Sequence, residues 1–213
     1  EADDASFRLA AEEHAKMTML SFNRQDNTQF HAVEYDTATG ERRRGYTFQG
    51  AHDDSYWSRG TGWAVMGLAV TAANSKNVSY LNQAIEISEK WFEALGDRVV
   101  PPYDFDVKGD EAPQDSAASA IMAAGLLDIA DLHSNESISA YWRGKADFLI
   151  NGLCENYLAN EREHRGILKH GCYSEPHKIG SDAAVMFGDY FFAEALNRMA
   201  FPGKFIEKYE KLD

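Results

Sequence analysis

Apolar side chains recur at the spacing of one helix face in six stretches of the chain, each bounded by polar or turn-forming residues. In residues 2–24 the face is Phe7, Leu9, Ala10, Ala15, Met17, Met19, Leu20 and Phe22, interrupted by charged residues. In 55–73 it is Trp57, Trp63, Met66, Leu68 and Val70, with Asp53, Asp54 and Ser55 as start signals. Leu81, Ala84, Ile85, Ile87, Trp91 and Phe92 predict a third helix over 78–95, close enough behind the second to form an antiparallel pair with it. Asp115 and Ser116 lead into AASAIMAAGLLDIADL, a buried helix with a small-residue face. Its predicted partner is 138–157, through Tyr141, Ala146, Phe148, Leu149, Leu153 and Tyr157. Ser181 and Asp182 are expected to cap the last helix, which runs through Ala200.

The segments between these helices alternate in length. FHAVEYD (30–36) and ERRRGYTF (41–48) alternate weakly on either side of TATG and predict a short hairpin, with a structured loop as the competing reading. Residues 96–114 and 159–180 are rich in turn formers and read as loops. One helix pair plus its long loop recurs with a period of about sixty residues, which predicts helical hairpins whose long loops share one rim. The plainer alternative is an irregular all-helical domain. Gly60, Gly62 and Gly67 would each cost up to about 1 kcal/mol inside a helix, so they serve close helix packing or leave room for a ligand.

Composition narrows the function. The 213 residues suit one domain, and 44% apolar with 26% charged residues excludes disorder, collagen and coiled coil. Against 21 Lys and Arg stand 34 Asp and Glu, a net charge of −13 at pH 7, so nucleic acid and anionic membranes would be approached against the mean field. No apolar run is long enough for a membrane span. Cys154 and Cys172 are too few for a disulfide scaffold, lack zinc-ligand spacing, and leave the compartment open between cytoplasm and periplasm. The opening EADDASFRLAAEE has neither the basic start nor the apolar core of a signal peptide, and it begins without Met inside a helical pattern. The expectation is a chain that starts partway through a longer gene product.

The richest chemistry lies in QGAHDDSYWSRGTGWA, residues 49–64. Tryptophans suit the C–H faces of a sugar ring, and Gln, Arg and Asp suit its hydroxyl rim; Arg59 can also meet a uronate carboxylate bidentately. The competing reading places Trp57 and Trp63 in the core, Asp54 in a cap, and Arg59 against a structural carboxylate. His31 faces Gln49 if the hairpin forms. Asp104 and Asp106 of DFD offer oxygen ligands, but not at EF-hand spacing, and no metal or cofactor is predicted. Asp115 and Asp182 read as caps, and Asp189 as a residue that orients a neighbouring helix or loop.

Four strings, in order along the chain, resemble glycoside hydrolase family 88, the unsaturated glucuronyl hydrolases. They are FHAVEYDTATGE; GYTFQGAHDDSYWSRGTGWAVMG; PPYDFD with QDSAASAIMAAGLLDIA; and HGCYSEPHKIGSDAAVMFGDYFFAEALNR, with DDSYWSRG and GDYFFAEAL the most specific. The resemblance implies an all-α (α/α)6 barrel, of which residues 1–213 would be the C-terminal portion of a single domain. It also implies removal of a 4,5-unsaturated uronic acid from lyase-generated oligosaccharides by vinyl ether hydration. The family's principal aspartate pair would precede Glu1, so no catalytic residue is assigned to this chain, and the missing N-terminal half would be its partner in the domain. His31, Gln49, Trp57, Arg59 and Trp63 match substrate-binding positions. The family commonly reads THQG and WSRGQAW where this chain has TFQG and WSRGTGW, so Phe48, Thr61 and Gly62 alter the pocket. The competing functions are a non-catalytic carbohydrate-binding or structural helical-repeat protein, and an unsaturated rhamnogalacturonyl hydrolase-like enzyme.

Overall fold

The computed structural model describes residues 5–109, 112–160, 164–201 and 210–212. Its elements run α1 (Ala5–Phe22), β1 (Ala32–Tyr35), β2 (Arg42–Tyr46), α2 (Ser58–Ser75), α3 (Val78–Leu95), α4 (Ser116–Leu132), α5 (Glu136–Asn156) and α6 (Met186–Ala200). The six predicted helices are therefore present among the described residues; the expected start of the first one, residues 2–4, lies outside them, as do 110–111 and 161–163 of the two long loops.

The fold is organised around α4. A helix that is apolar on every side has no face to give to water, and all but one of its residues are buried. Helix α2 packs along one side of α4 and α6 along the other; α3 touches both α2 and α4, and α5 touches both α4 and α6. Three helices thus stand in a row with two more in the crevices behind. Small residues set the α2–α4 spacing: a Cβ on Gly62 would lie 3.3 Å from the Ala118 carbonyl, and one on Gly125 would lie 3.0 Å from the Met66 nitrogen. Trp91 and Trp142 fill the core, and the Trp91 indole donates to the Ser58 carbonyl at 3.3 Å.

The hairpin forms as expected. Strands β1 and β2 are antiparallel, with Ala32 opposite Tyr46 and Val33 opposite Gly45. Asp36 closes the turn by accepting the Ala38 and Thr39 N–H groups at 2.8 and 2.9 Å, and Gly40 takes the positive φ of 75° that the turn requires.

Two helix starts differ from the expected ones. Helix α2 begins at Ser58 and not at 53–55, because residues 56–58 are first held extended along the 103–105 loop. Ser58 N–H donates to the Tyr103 carbonyl at 3.1 Å, and Phe105 N–H donates to the Tyr56 carbonyl at 2.9 Å. Helix α6 begins at Met186 behind Val185, without a side-chain cap. Asp182 is instead 2.8 Å from His170 Nδ1. Asp189 does what was expected of it: its two oxygens accept the Ile167 and Leu168 N–H groups, both at 2.9 Å, and tie the long loop to α6. No helix among the described residues is long and apolar enough to cross a membrane.

At the opposite end of the row, buried Arg198 of α6 reaches Asp128 at 2.9 Å and Asp131 at 3.0 Å, both on α4, while Arg143 of α5 also binds Asp131. Burial lifts the Asp128 carboxyl to about 6; Arg198 opposes the shift, and Glu194 and Asp131 add to it. A folded-state pKa above the unfolded one means that the fold takes up a proton. The resulting stabilisation is complete below about pH 4 and is lost as pH rises through about 6. Chemical denaturation across this range is therefore expected to show the wild type losing stability relative to Asp128→Asn, which cannot ionise. Parallel curves for the two proteins would contradict the buried-carboxyl account.

Candidate functional site

The N-terminal ends of α2, α4 and α6 meet on one rim, and a single side chain holds them there. Arg59, in the first turn of α2, is 1% exposed. Its Nη1 donates to Asp115 Oδ2 at 2.7 Å and to the Cys172 carbonyl; its Nη2 donates to the Tyr173 carbonyl at 2.7 Å and reaches Gln49 Oε1 at 3.4 Å. The guanidinium also lies 4.9 Å from the ring centres of both Trp57 and Phe187. Asp115 occupies the N-cap position of α4, yet its side chain does not cap the helix. It faces Arg59 and accepts the Cys172 N–H at 3.2 Å. Burial pushes its carboxyl above the ordinary range, while Arg59 and the backbone donors pull it back. Burial, and then Asp115, push the Cys172 thiol up to about 12, which disfavours its thiolate.

The loop between β2 and α2 is fixed from below by Asp104. This buried carboxylate accepts the Ala51 N–H at 2.9 Å, the Ser55 hydroxyl at 2.6 Å and the Asp106 N–H at 3.0 Å. Its oxygens are thus occupied by protein donors, and the described residues contain no group of three His, Cys, Asp or Glu arranged to hold a metal ion. On this loop Gln49 donates through Nε2 to the Tyr173 carbonyl at 3.0 Å and through its backbone N–H to His31 Nδ1 at 3.3 Å. His31 and Gln49 are therefore brought together, as the hairpin implied. The His31 ring lies 4.2 Å from that of Trp57, tilted by 37°. Burial, and secondarily the Arg59 charge, lower the His31 pKa.

His31, Trp57 and Trp63 face one groove of about 700 Å³ between α1 and α2, whose wall includes Gly60, Gly67 and Phe22. Trp57 is 8% exposed and in contact with both His31 and Arg59, whereas Trp63 is half-buried and stands edge-on to Phe191 at 5.2 Å. A Cβ on Gly60 would lie 2.5 Å from the Trp57 ring, so glycine there lets the indole fold back over the helix; Gly67 faces open space. Phe48 is 56% exposed and stacks edge-on against Tyr46 at 5.2 Å. Among the described residues, no aspartate or glutamate lines the groove. Its aromatic wall with a few neutral polar groups can hold a sugar ring; a pair of carboxylates for proton transfer is not among its lining residues.

Of the five residues expected at the site, His31, Trp57 and Trp63 line the groove, Gln49 joins it to the loops, and Arg59 lies beneath it. Asp104, Phe187 and the carbonyls of Cys172 and Tyr173 were not assigned to the site, although all four lie in the strings quoted above. A structural carboxylate beside Arg59 was the competing reading, and Asp115, expected as a cap, is that carboxylate.

No family model matches the chain. The chain is 30% identical over 199 residues to the unsaturated glucuronyl hydrolase of Bacillus sp. (strain GL1), covering 92% of this chain and 53% of that protein. It is 28% identical over 201 residues to the unsaturated chondroitin disaccharide hydrolase of Streptococcus pneumoniae, covering 93% of this chain and 51% of that one. The crystal structure of the Bacillus sp. GL1 unsaturated glucuronyl hydrolase superposes with a TM-score of 0.90 at 29% identity, over 98% of this chain and 55% of that chain. A heparin-specific unsaturated glucuronyl hydrolase superposes with a TM-score of 0.82 at 30% identity, over 90% and 52%. The fold is thus a portion of an (α/α) helical barrel, and the chain spans about half the length of the curated relatives it matches.

Removing one partner of a buried ion pair strands the other charge, a cost of about 3 to 5 kcal/mol. Asp115→Asn and Arg59→Met are each expected to lose stability on that scale in urea denaturation. The double variant Arg59→Met/Asp115→Asn is expected to be more stable than the sum of two single losses predicts; strict additivity would show that the pair is not coupled.

Proposed function

We propose, for a chain that belongs to the unsaturated glucuronyl hydrolase family, that it is the C-terminal, substrate-binding portion of a hydrolase domain that removes 4,5-unsaturated uronic acid from lyase-generated oligosaccharides. The observation that carries this reading is the groove beside the Arg59 cluster: aromatic, open at Trp63, and lined among the described residues by no carboxylate. In the proposed reaction a carboxylic acid protonates C4 of the vinyl ether, water adds its hydroxyl at C5, and the hemiketal opens to release the sugar. The residues of this chain bind and orient. Trp63 offers a ring face, His31 and Gln49 offer neutral hydrogen bonds, and Trp57 backs the His31 ring. Arg59 acts as a positioning residue, holding the loops that carry Gln49 and Tyr173 while its charge is matched by Asp115. Both carboxylates would come from the N-terminal half of the domain.

The absence of carboxylates in the groove also favours a second reading for the 213 residues alone, a carbohydrate-binding unit without turnover. An unsaturated rhamnogalacturonyl disaccharide is the competing substrate.

The intact protein is expected to consume unsaturated glucuronyl disaccharides, followed by loss of the ultraviolet absorbance of the conjugated enol ether carboxylate; the 213-residue chain is expected to bind them without turnover. Binding without turnover by the intact protein would establish the binding-unit reading instead, and rapid cleavage by the 213 residues would place the acid in this chain. Trp63→Ala is expected to weaken sugar binding with little change in melting temperature. Trp57→Ala, which truncates a buried ring, is expected to cost about 3 to 5 kcal/mol of stability. The reverse pattern would exchange the parts given to the two indoles.

A further inference from the structure

The turn that follows β2 is folded around one atom, His31 Nδ1. The backbone N–H of Phe48 points at it from 3.1 Å and that of Gln49 from 3.3 Å. The Thr47 hydroxyl lies 3.1 Å away, and because this oxygen already accepts the Gly50 N–H at 2.8 Å, its own hydrogen is free to turn toward the ring. An unprotonated imidazole nitrogen has one in-plane lone pair and serves these donors as their acceptor. A proton on Nδ1 would set an N–H against two backbone N–H groups that cannot turn away, with no solvent between them.

The charged and titratable groups around the ring reinforce this. Arg59 and the His31 ring both lie against the Trp57 indole. The nearby carboxylate of Asp53 is engaged by the Thr47 N–H at 3.0 Å, and that of Asp104 by Ala51 and Ser55. From α1 the groove receives His14. No carboxylate is hydrogen-bonded to either ring nitrogen, and among the described residues nothing bonds Nε2.

We infer that His31 is locked as the neutral tautomer with its proton on Nε2, and that this N–H is a fixed donor for an acceptor oxygen of the bound uronide. The second half rests on the proposed carbohydrate-binding role of the groove; the first half does not. A histidine held in this way neither takes nor gives a proton during the reaction. It offers a directional hydrogen bond, and proton transfer is left to other groups.

The tautomer is read directly from nitrogen NMR of the 213-residue protein labelled in its histidines, seven in all, with His31 assigned by the signals missing from His31→Phe. The expected result is a protonated Nε2, an acceptor-type Nδ1, and a titration displaced below that of an ordinary histidine. A proton on Nδ1, or titration near the ordinary value, would overturn the lock. The donor is tested by calorimetry with an unsaturated chondroitin disaccharide. His31→Phe keeps an aromatic ring beside Trp57 and is expected to bind about tenfold more weakly, the loss of one hydrogen bond. His31→Gln, which restores a neutral N–H, is expected to recover most of that loss. Unchanged binding in His31→Phe, or equal losses in both variants, would overturn the donor assignment. Failure of the wild-type chain to bind the disaccharide would overturn the proposed function and the sugar acceptor with it, while the tautomer is measured without any sugar.

Discussion

A guanidinium and a carboxylate, both out of water, decide how this rim is built. Removing Arg59 and Asp115 from solvent is unfavourable unless every donor and oxygen meets a partner, and the partners are backbone groups of residues 172 and 173 together with Gln49. Three remote parts of the chain must therefore come to one point: the first turn of α2, the start of α4, and the loop before α6. The same requirement fixes what the groove can be. Both terminal nitrogens of Arg59 donate to the protein, and the surface above it presents aromatic faces and hydrogen-bonding groups.

Helix faces were legible because they are local. The period of apolar residues and the alternation of short and long connections are both properties of short windows, and they located all six helices among the described residues. The hairpin was legible for the same reason, with Asp36 and Gly40 marking its turn. The misplaced helix starts show the limit. Asp53, Asp54 and Ser55 have the composition of a cap, but pairing of residues 56–58 with 103–105 keeps this stretch extended. Ser181 and Asp182 likewise precede α6 without capping it, since Asp182 is engaged with His170. A cap motif competes with every other partner available in the folded chain, and a window of ten residues does not contain those partners.

The site was legible in its membership and less so in its roles. His31 and Gln49 could be placed together because a hairpin fixes which residues face each other. Arg59 and Asp115 are 56 positions apart, and nothing in the spacing of either announces the other. The acidic residues of this stretch also divide by environment: Asp104 is buried and filled with donors, Asp115 is buried and ion-paired, and Asp53 is exposed and accepts one N–H. Identical side chains in neighbouring strings become a loop anchor, a helix anchor and a surface acceptor because of how far each lies from water.

The two flanks of the helical row bear on how the groove would be completed. On α1, Phe7, Leu9, Met17 and Leu20 are exposed, and on α6 so are Met186 and Tyr190. Large apolar groups gathered at both ends of a row are not what a sealed stack of helical hairpins presents, since terminal hairpins ordinarily turn a polar face outward. The relatives continue for about as many residues again as this chain matches. Under the proposed function both features have one cause: the helices that would cover these flanks would also bring carboxylates to a groove that has none among the described residues. The division is physically economical, because carboxylates that must exchange protons work best away from a buried arginine that would hold them ionised, and Arg59 is matched by Asp115 within this portion of the barrel.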